Sequence, residues 1–220
     1  THDQSSAASD VYKRQDRYNY LTSLIFLFFF YSFNLKSQSH SQVWPTIEMT
    51  GKVNKDLDLK FKYRNKYDFE EGESTASWVN FGISYDINDL TLGLYYRELS
   101  KTNRRGRYLE RRPYVDISYE IFKNFKVRLR NAFRFRENYE ENLIRNRFRV
   151  QYSTKVIGLS PFILNEIFMS NMSFNRNRVG IGFKKKIKKT PITLKPSYII
   201  EFFRNDETRG ALLLGLEVKF

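Results

Sequence analysis

The residues of this 220-residue sequence best able to do chemistry are cations set two apart. Lys60, Lys62 and Arg64 open the series, and Arg128, Arg130, Arg134 and Arg136 continue it. Arg145, Arg147 and Arg149 follow, with Arg178 and Lys184 further on. Cations aligned on one side of an extended chain concentrate anions and repel other cations. Guanidinium adds a planar fork that matches carboxylate and phosphate. Acidic residues of the same parity are fewer, and Asp116, Glu120, Glu166 and Glu201 are the expected partners. The plainer reading of these rows is an interior filled by Arg–Glu networks that satisfy one another.

Other chemistries are poorly supplied. With no cysteine there is no disulfide scaffold, thiol nucleophile or thiolate metal cluster. Both histidines, His2 and His40, lie in the first forty residues, so the body of the chain lacks an imidazole base or ligand. No phosphate-binding loop, dinucleotide fingerprint or metal constellation occurs, and no cofactor is expected. An Asp/Glu or Ser/Lys mechanism acting on lipid is the enzymatic alternative, and nothing in the sequence marks one.

The cations are held by a period of two. Leu57, Leu59, Phe61 and Tyr63 alternate with Asp58, Lys60, Lys62 and Arg64. Successive side chains of a strand face opposite ways, so one face is apolar and the other charged. The same pattern recurs near 76–87, 90–99, 108–121, 125–137, 143–154, 176–187 and 210–220. Segments 160–169 and 191–204 are strand-like but alternate poorly. With 57–69, this predicts about ten strands, an even number that would put both ends of the barrel on one side. Asn88-Asp89, Lys123-Asn124, Gly158 to Pro161 and Lys188 to Pro191 read as tight turns, whereas 70–75, 100–107, 138–142, 170–175 and 205–210 read as longer polar loops. That asymmetry fits an all-β, antiparallel up-and-down transmembrane barrel.

Rows such as Lys60-Lys62-Arg64 cannot face lipid, where each cation costs on the order of 2–4 kcal/mol at the midplane. They must face the lumen, with the Leu/Phe/Val row toward acyl chains. A strand of about 13 residues, tilted about 45°, spans about 30 Å of hydrocarbon. Aromatics suggest two girdles: Tyr67, Phe69, Trp78, Tyr96 and Phe135 beside the loops, and Tyr85, Tyr119, Phe122, Phe125, Tyr152 and Phe220 beside the turns. A periplasmic β-sandwich or lipocalin-like barrel is the soluble alternative, but sandwich strands average about 5–6 residues. Leu214, Leu216, Val218 and Phe220 end the sequence in alternation, like the segment that outer-membrane barrels present to the insertion machinery.

Residues 1–15 resemble a translated adaptor scar and are set aside as an assembly artefact. Residues 16–41 read as a signal peptide: basic residues, the apolar run Leu21–Phe33, then Ser37, Ser39 and Ser41 as candidate cleavage positions. Residues 42–56 are an N-terminal lead that pairs inside the barrel or adds a strand, and 57–220 form the barrel. Past residue 41 there remain 34 Lys/Arg against 21 Asp/Glu, a net charge of +13.

Trp44, the Arg145-Asn146-Arg147-Phe148-Arg149 strand, Pro161 with Glu166, and Asn177-Arg178-Val179-Gly180-Ile181-Gly182-Phe183 together resemble the DUF2490 family of uncharacterised bacterial outer-membrane proteins. The resemblance covers about residues 42–220 and implies a barrel without an assigned activity.

The expected protein is an exported outer-membrane barrel with a basic lumen, non-enzymatic, serving small anionic solutes or envelope integrity. Its expected partners are outer-membrane lipid, lipopolysaccharide phosphate near Arg104, Arg105 and Arg107, and the insertion machinery. Anionic headgroups are expected beside Lys184–Lys186 and Lys188-Lys189. Nucleic acid is not expected, because aromatics and cations on opposite faces form no stacking groove.

Overall fold

The computed structural model describes residues 39–103, 106–137 and 143–220. Among these, eleven strands close into one barrel. They are β1 (Ser39–Lys52), β2 (Leu57–Asp68), β3 (Glu73–Ile87), β4 (Leu90–Asn103), β5 (Gly106–Phe122), β6 (Phe125–Arg136), β7 (Leu143–Ser153), β8 (Ser160–Ser170), β9 (Ser173–Lys186), β10 (Ile192–Phe203) and β11 (Thr208–Lys219). Each strand pairs antiparallel with its neighbour in sequence, and β1 closes the ring against β11 in parallel, from Ser39↔Thr208 to Thr50↔Lys219. No strand is left with an open edge, which is the condition for placing a sheet in lipid.

The expected ten strands are therefore eleven. The segment read as a lead is β1, and it does not simply precede the barrel. It is the eleventh strand, so β1 starts at one rim while β11 ends at the other, and the ends do not share a side. The rim bearing the 88–89 and 123–124 connections is called lower here, the opposite one upper. Among the described connections the contrast of short turns and long loops is also absent: 69–72 and 171–172 above are no longer than 53–56 and 187–191 below. Strands continue into the segments read as loops: Ser170 and Ser173 are separated only by Asn171 and Met172, both at positive φ (46° and 64°) as a type I′ hairpin turn requires. Asn88 (φ 52°) and Asn124 (φ 80°) make the matching tight turns below. The expectations for residues 1–38, for Arg104 and Arg105, and for the loop 138–142 lie outside the described residues.

Alternation sorts the two faces. Leu94, Ile83, Phe148, Ile181 and Leu214 are each 44–59% exposed on the outer wall. Glu110, Glu166 and Glu201 are at most 1% exposed on the inner one. Closure of the sheet excludes the sandwich, and an apolar outer wall around charged inner residues is the reverse of the arrangement in a soluble barrel. Trp78, assigned above to a girdle, instead points inward and is 8% exposed, because it shares parity with Asn80 rather than with Val79. On β8 and β10 the pattern is weak because Leu164, Phe168 and Ile199 occupy inward positions that elsewhere are charged.

The inner wall is close-fitting where aromatics cross it. A Cβ at Gly82 would stand 2.2 Å from the Tyr95 ring, and one at Gly182 would stand 2.4 Å from the Ser197 Cβ. Those glycines are needed for space rather than for backbone freedom.

Candidate functional site

The barrel encloses a space of about 1200 Å³ whose lining runs from Glu73 and Lys101 near the upper rim to Lys184 and Lys195 in the lower half. Strand alternation delivers its side chains, and three groups organise them.

The first is a carboxylate–guanidinium chain at mid-height. Glu166 on β8 meets Arg178 at 2.8 Å, Arg147 at 3.3 Å, Arg128 at 3.5 Å, and also Arg149. Arg178 continues to Glu201, which Arg176 approaches at 3.4 Å. On the other side Arg128 reaches Asp116 at 4.0 Å, and Asp116 receives Arg130. Three buried carboxylates thus gather six arginines from β6, β7 and β9. Removing such charges from water is costly unless each is paired and hydrogen-bonded, and this chain supplies the pairing.

The second group is a belt of alternating rings and guanidiniums. Arg64 lies 5.6 Å from the Trp44 ring and 5.4 Å from that of Trp78. Arg97 lies 5.4 Å from Trp78 and 5.5 Å from Tyr114, and Arg130 stacks on Tyr114 at 4.0 Å. Arg178 extends the series at its other end, 4.9 Å from Phe168 and 5.3 Å from Trp44. Each contact contributes on the order of 1 kcal/mol when desolvated. Trp44 is 1% exposed against Ile199 and Ala211; its Nε1 donates to Gln42, whose Nε2 donates to Asp68. Arg64 donates from Nε to the Thr46 hydroxyl at 2.7 Å, and Arg97 to Asn80 at 2.6 Å. The view that rings and cations keep to opposite faces is corrected by this belt: Trp44, Trp78, Tyr114 and Phe168 all point inward.

The third group lies lower. Glu48 binds Lys62 and Lys195, and Lys195 also reaches Glu217 at 3.0 Å. Lys60 is 3.7 Å from Asp58. Higher up, Glu110 is held by Arg112 and by Arg134, whose Nη2 donates at 2.8 Å.

Of the residues singled out from sequence, Lys60, Lys62, Arg64, Arg128, Arg130, Arg134, Arg145, Arg147, Arg149, Arg178 and Lys184 line the enclosed space, as do Asp116, Glu166 and Glu201. Arg136 has inward parity but sits at the upper rim, outside the lining. Glu120 is not a lumenal partner: it is exposed near the 123–124 turn. Leu214, Leu216, Val218 and Phe220 share the outward parity, paired with Pro45, Ile47 and Met49 of β1 up to Val218. Sequence reasoning missed Glu48, Arg97, Arg112, Arg176, Lys195 and Arg209. Parity alone would have found Arg97 and Arg112, on the faces of Gly93 and Asp116. Arg209 lies just before the assigned strand start, and Lys195 lies in the strand where alternation fails.

Fold and interior together define a closed β-barrel with an apolar wall and an ionic, arginine-rich core. The chain belongs to the family described as "Protein of unknown function (DUF2490)", which matches residues 41–210. No curated protein matches. Among solved structures, a porin refined at 1.8 Å is similar at 7% identity, with a TM-score of 0.36, over 71% of this chain and 56% of that one. The chain thus spans little more than half of that porin.

Proposed function

We propose that this chain is a bacterial outer-membrane barrel whose basic interior binds or passes small anionic solutes, without catalysis. The observation that carries the reading is the lining: eighteen Lys/Arg against nine Asp/Glu among the described residues, inside an apolar wall. A net charge of that sign in a confined, poorly solvated space favours anions and excludes cations. The wall supports the membrane placement, since strands of 11–17 residues cross about 30 Å when tilted. Residues 16–37 act as the export signal in this reading. Cleavage after Ser37 keeps Ser39–Ser41 in β1, where they pair with Thr208–Gly210.

The lower rim faces the periplasm, with Phe220 as the insertion signal. There the exposed Lys123, Lys155, Lys185, Lys186, Lys188 and Lys189 meet anionic headgroups. The upper rim, with exposed Arg107, meets lipopolysaccharide phosphate. Absence of catalysis is supported by the engagement of Asp116, Glu110, Glu166 and Glu201 with arginine, which leaves these carboxylates poorly placed to act as a base.

The test is conductance of the refolded protein in a planar bilayer under a salt gradient. A reversal potential of anion-selective sign is expected. A cation-selective trace, or no conductance together with no anion binding, overturns the proposal. Identical gel migration before and after boiling, with solubility in plain buffer, would refute the membrane placement. A structural role in envelope integrity is the second reading, favoured by the four arginines gathered on Glu166.

A further inference from the structure

The outer wall is not uniformly apolar. On β6, β7 and β8 an asparagine takes an outward position inside the apolar row: Asn131 between half-exposed Leu129 and Phe133, Asn146 between Ile144 and Phe148, and Asn165 between Ile163 and Ile167. Their chain neighbours Arg130, Ala132, Arg145, Arg147, Leu164 and Glu166 line the lumen and they do not, which fixes their direction. Asn177 on β9 shares the outward parity of Val179 and Ile181. The outward rows of β10, β11 and β1 hold no amide from Leu194 to Phe202, from Leu212 to Val218, or from Val43 to Met49.

These four amides share one depth. A single line of register runs from Gly51 at the lower end of β1, through Val115 on β5, to Asn131, Asn146 and Met169 near the upper end of β8. Lines of register therefore climb the wall, by about 3 Å per strand when strands stand about 4.8 Å apart and tilt about 40°. Along such a strand the axial rise is about 2.5 Å per residue, so Asn165, below Met169 on β8, falls back to within about 4 Å of the depth of Asn131. Asn177, just above the level of its partner Ile167, returns to that depth as well. The result is a horizontal amide band, about 8 Å tall, across four adjacent strands.

The band is not satisfied within the chain. A side-chain amide has two N–H donors and an oxygen with two lone pairs. Asn131 and Asn146 stand directly opposite, and Nδ2 of Asn131 donates to Oδ1 of Asn146 at 2.5 Å. Nδ2 of Asn146 finds only the Met172 sulfur, a weak acceptor, at 3.9 Å. Among the described residues, Oδ1 of Asn131 and both ends of the Asn165 amide make no hydrogen bond. Asn65 on β2 differs, since its oxygen accepts from the Ser74 hydroxyl. Acyl chains neither donate nor accept, so in a bilayer these groups are costly until a polar partner reaches them at that depth.

We propose that the wall of β6, β7 and β8 is the interface of a homodimer, two barrels standing side by side with their amide bands in contact. A twofold axis along the membrane normal preserves depth, so it lays a horizontal band onto its own copy; a band that climbed the wall would meet its copy at one point only. Amides are self-complementary, and in an isologous contact the donors of each band meet the acceptors of the other. With the axis at β7, Asn146 meets its own counterpart, and Asn131 meets Asn165 of the partner subunit. The half-exposed Leu129, Phe133, Ile144 and Phe148 pack around them. The proposal rests on the membrane placement above and is independent of what the lumen carries.

The test is sedimentation equilibrium of the refolded barrel in density-matched detergent micelles, joined to thiol cross-linking in lipid vesicles. The chain has no cysteine, so a single one serves as a site-specific probe. A concentration-dependent dimer is expected. Asn131→Leu and Asn146→Leu should each weaken it about tenfold, because every substitution acts twice, once in each copy. Leu212→Ala, on β11, should leave it unchanged. Leucine restores an apolar wall, so heat-shifted gel migration should survive in both asparagine variants and separate loss of the dimer from loss of the barrel. Phe148→Cys, the outward neighbour of Asn146, should be bridged to its copy by a short bis-maleimide in vesicles, whereas Leu212→Cys should not. A dimer indifferent to both asparagine substitutions, or equal bridging through Leu212→Cys, overturns the interface. A heat-shifted monomer at every concentration overturns it while leaving the membrane placement intact, and protein without any heat shift overturns both.

Discussion

Replacing Glu166 by glutamine tests the interior most directly. The side chain is isosteric and keeps one acceptor, so the packing of β8 is unchanged while one charge is lost. In the native barrel Glu166 is fully buried and touches Arg128, Arg147, Arg149 and Arg178. Arg128 retains Asp116, and Arg178 retains Glu201. Arg147 and Arg149 have no second carboxylate within 4 Å among the described residues. Breaking a buried pair typically costs about 3–5 kcal/mol, since it leaves an uncompensated charge. The arginine side chains are 10–25% exposed to the lumen, so water recovers part of that cost. A loss of about 3 kcal/mol is expected. At a urea m-value of about 3 kcal/mol/M, this lowers the unfolding midpoint by roughly 1 M. Tryptophan fluorescence of the micelle-bound protein reads the transition. Adding Arg149→Gln to Glu166→Gln should restore about 1 kcal/mol or more, a positive coupling in the double-mutant cycle. A loss below about 1 kcal/mol, or purely additive effects, would refute the claim that Glu166 holds the arginines together.

Three further outcomes follow from the geometry. Leu214→Arg, at a half-exposed outward position, should cost about 2–4 kcal/mol and sharply reduce the heat-shifted fraction after refolding into lipid, whereas Arg147→Leu should refold with much better yield because three arginines remain on Glu166. Trp44→Ala should remove about 3–5 kcal/mol, measured by urea unfolding, through loss of its packing on Ile199 and Ala211. Gly182→Ala should lower the thermal midpoint by several degrees, because a Cβ there meets Ser197 and the Pro196 carbonyl at 2.4 and 2.6 Å.

Much of this architecture was legible because a period of two is hard to imitate. From Leu57 to Arg64 each odd residue is apolar and each even one charged, so the faces of β2 and β3 follow without coordinates. Inference failed where inward positions are not charged. Phe168 belongs to the belt, Ile199 to the Trp44 cluster, and Leu164 also lines the lumen, so β8 and β10 read as greasy on both sides. Strand β1 was obscured differently: Val43, Pro45 and Ile47 alternate with Trp44, Thr46 and Glu48, and a buried tryptophan masks the apolar–polar contrast. The contrast of turn and loop misled because Ser, Asn and Thr near the upper rim are compatible with strand as well as loop. Most of the lumenal list was accessible by parity, but its pairing was not. That Glu166 collects four arginines, while Lys101 and Arg145 have no carboxylate within 4 Å among the described residues, depends on register and side-chain reach, which no spacing encodes.

The parallel seam constrains any re-engineering of the chain. Elsewhere a hairpin joins neighbouring strands, so a loop could be cut and extended freely. To fuse the end of β11 to the start of β1, a tether would have to climb the full height of the cylinder, about ten extended residues at least. It would have two routes: down the arginine-crowded bore, competing with Trp44 and Glu166, or along the outside, laying unpaired peptide groups against hydrocarbon. Both are prohibitive, so circular permutants of this barrel should fail where those of even-stranded barrels succeed.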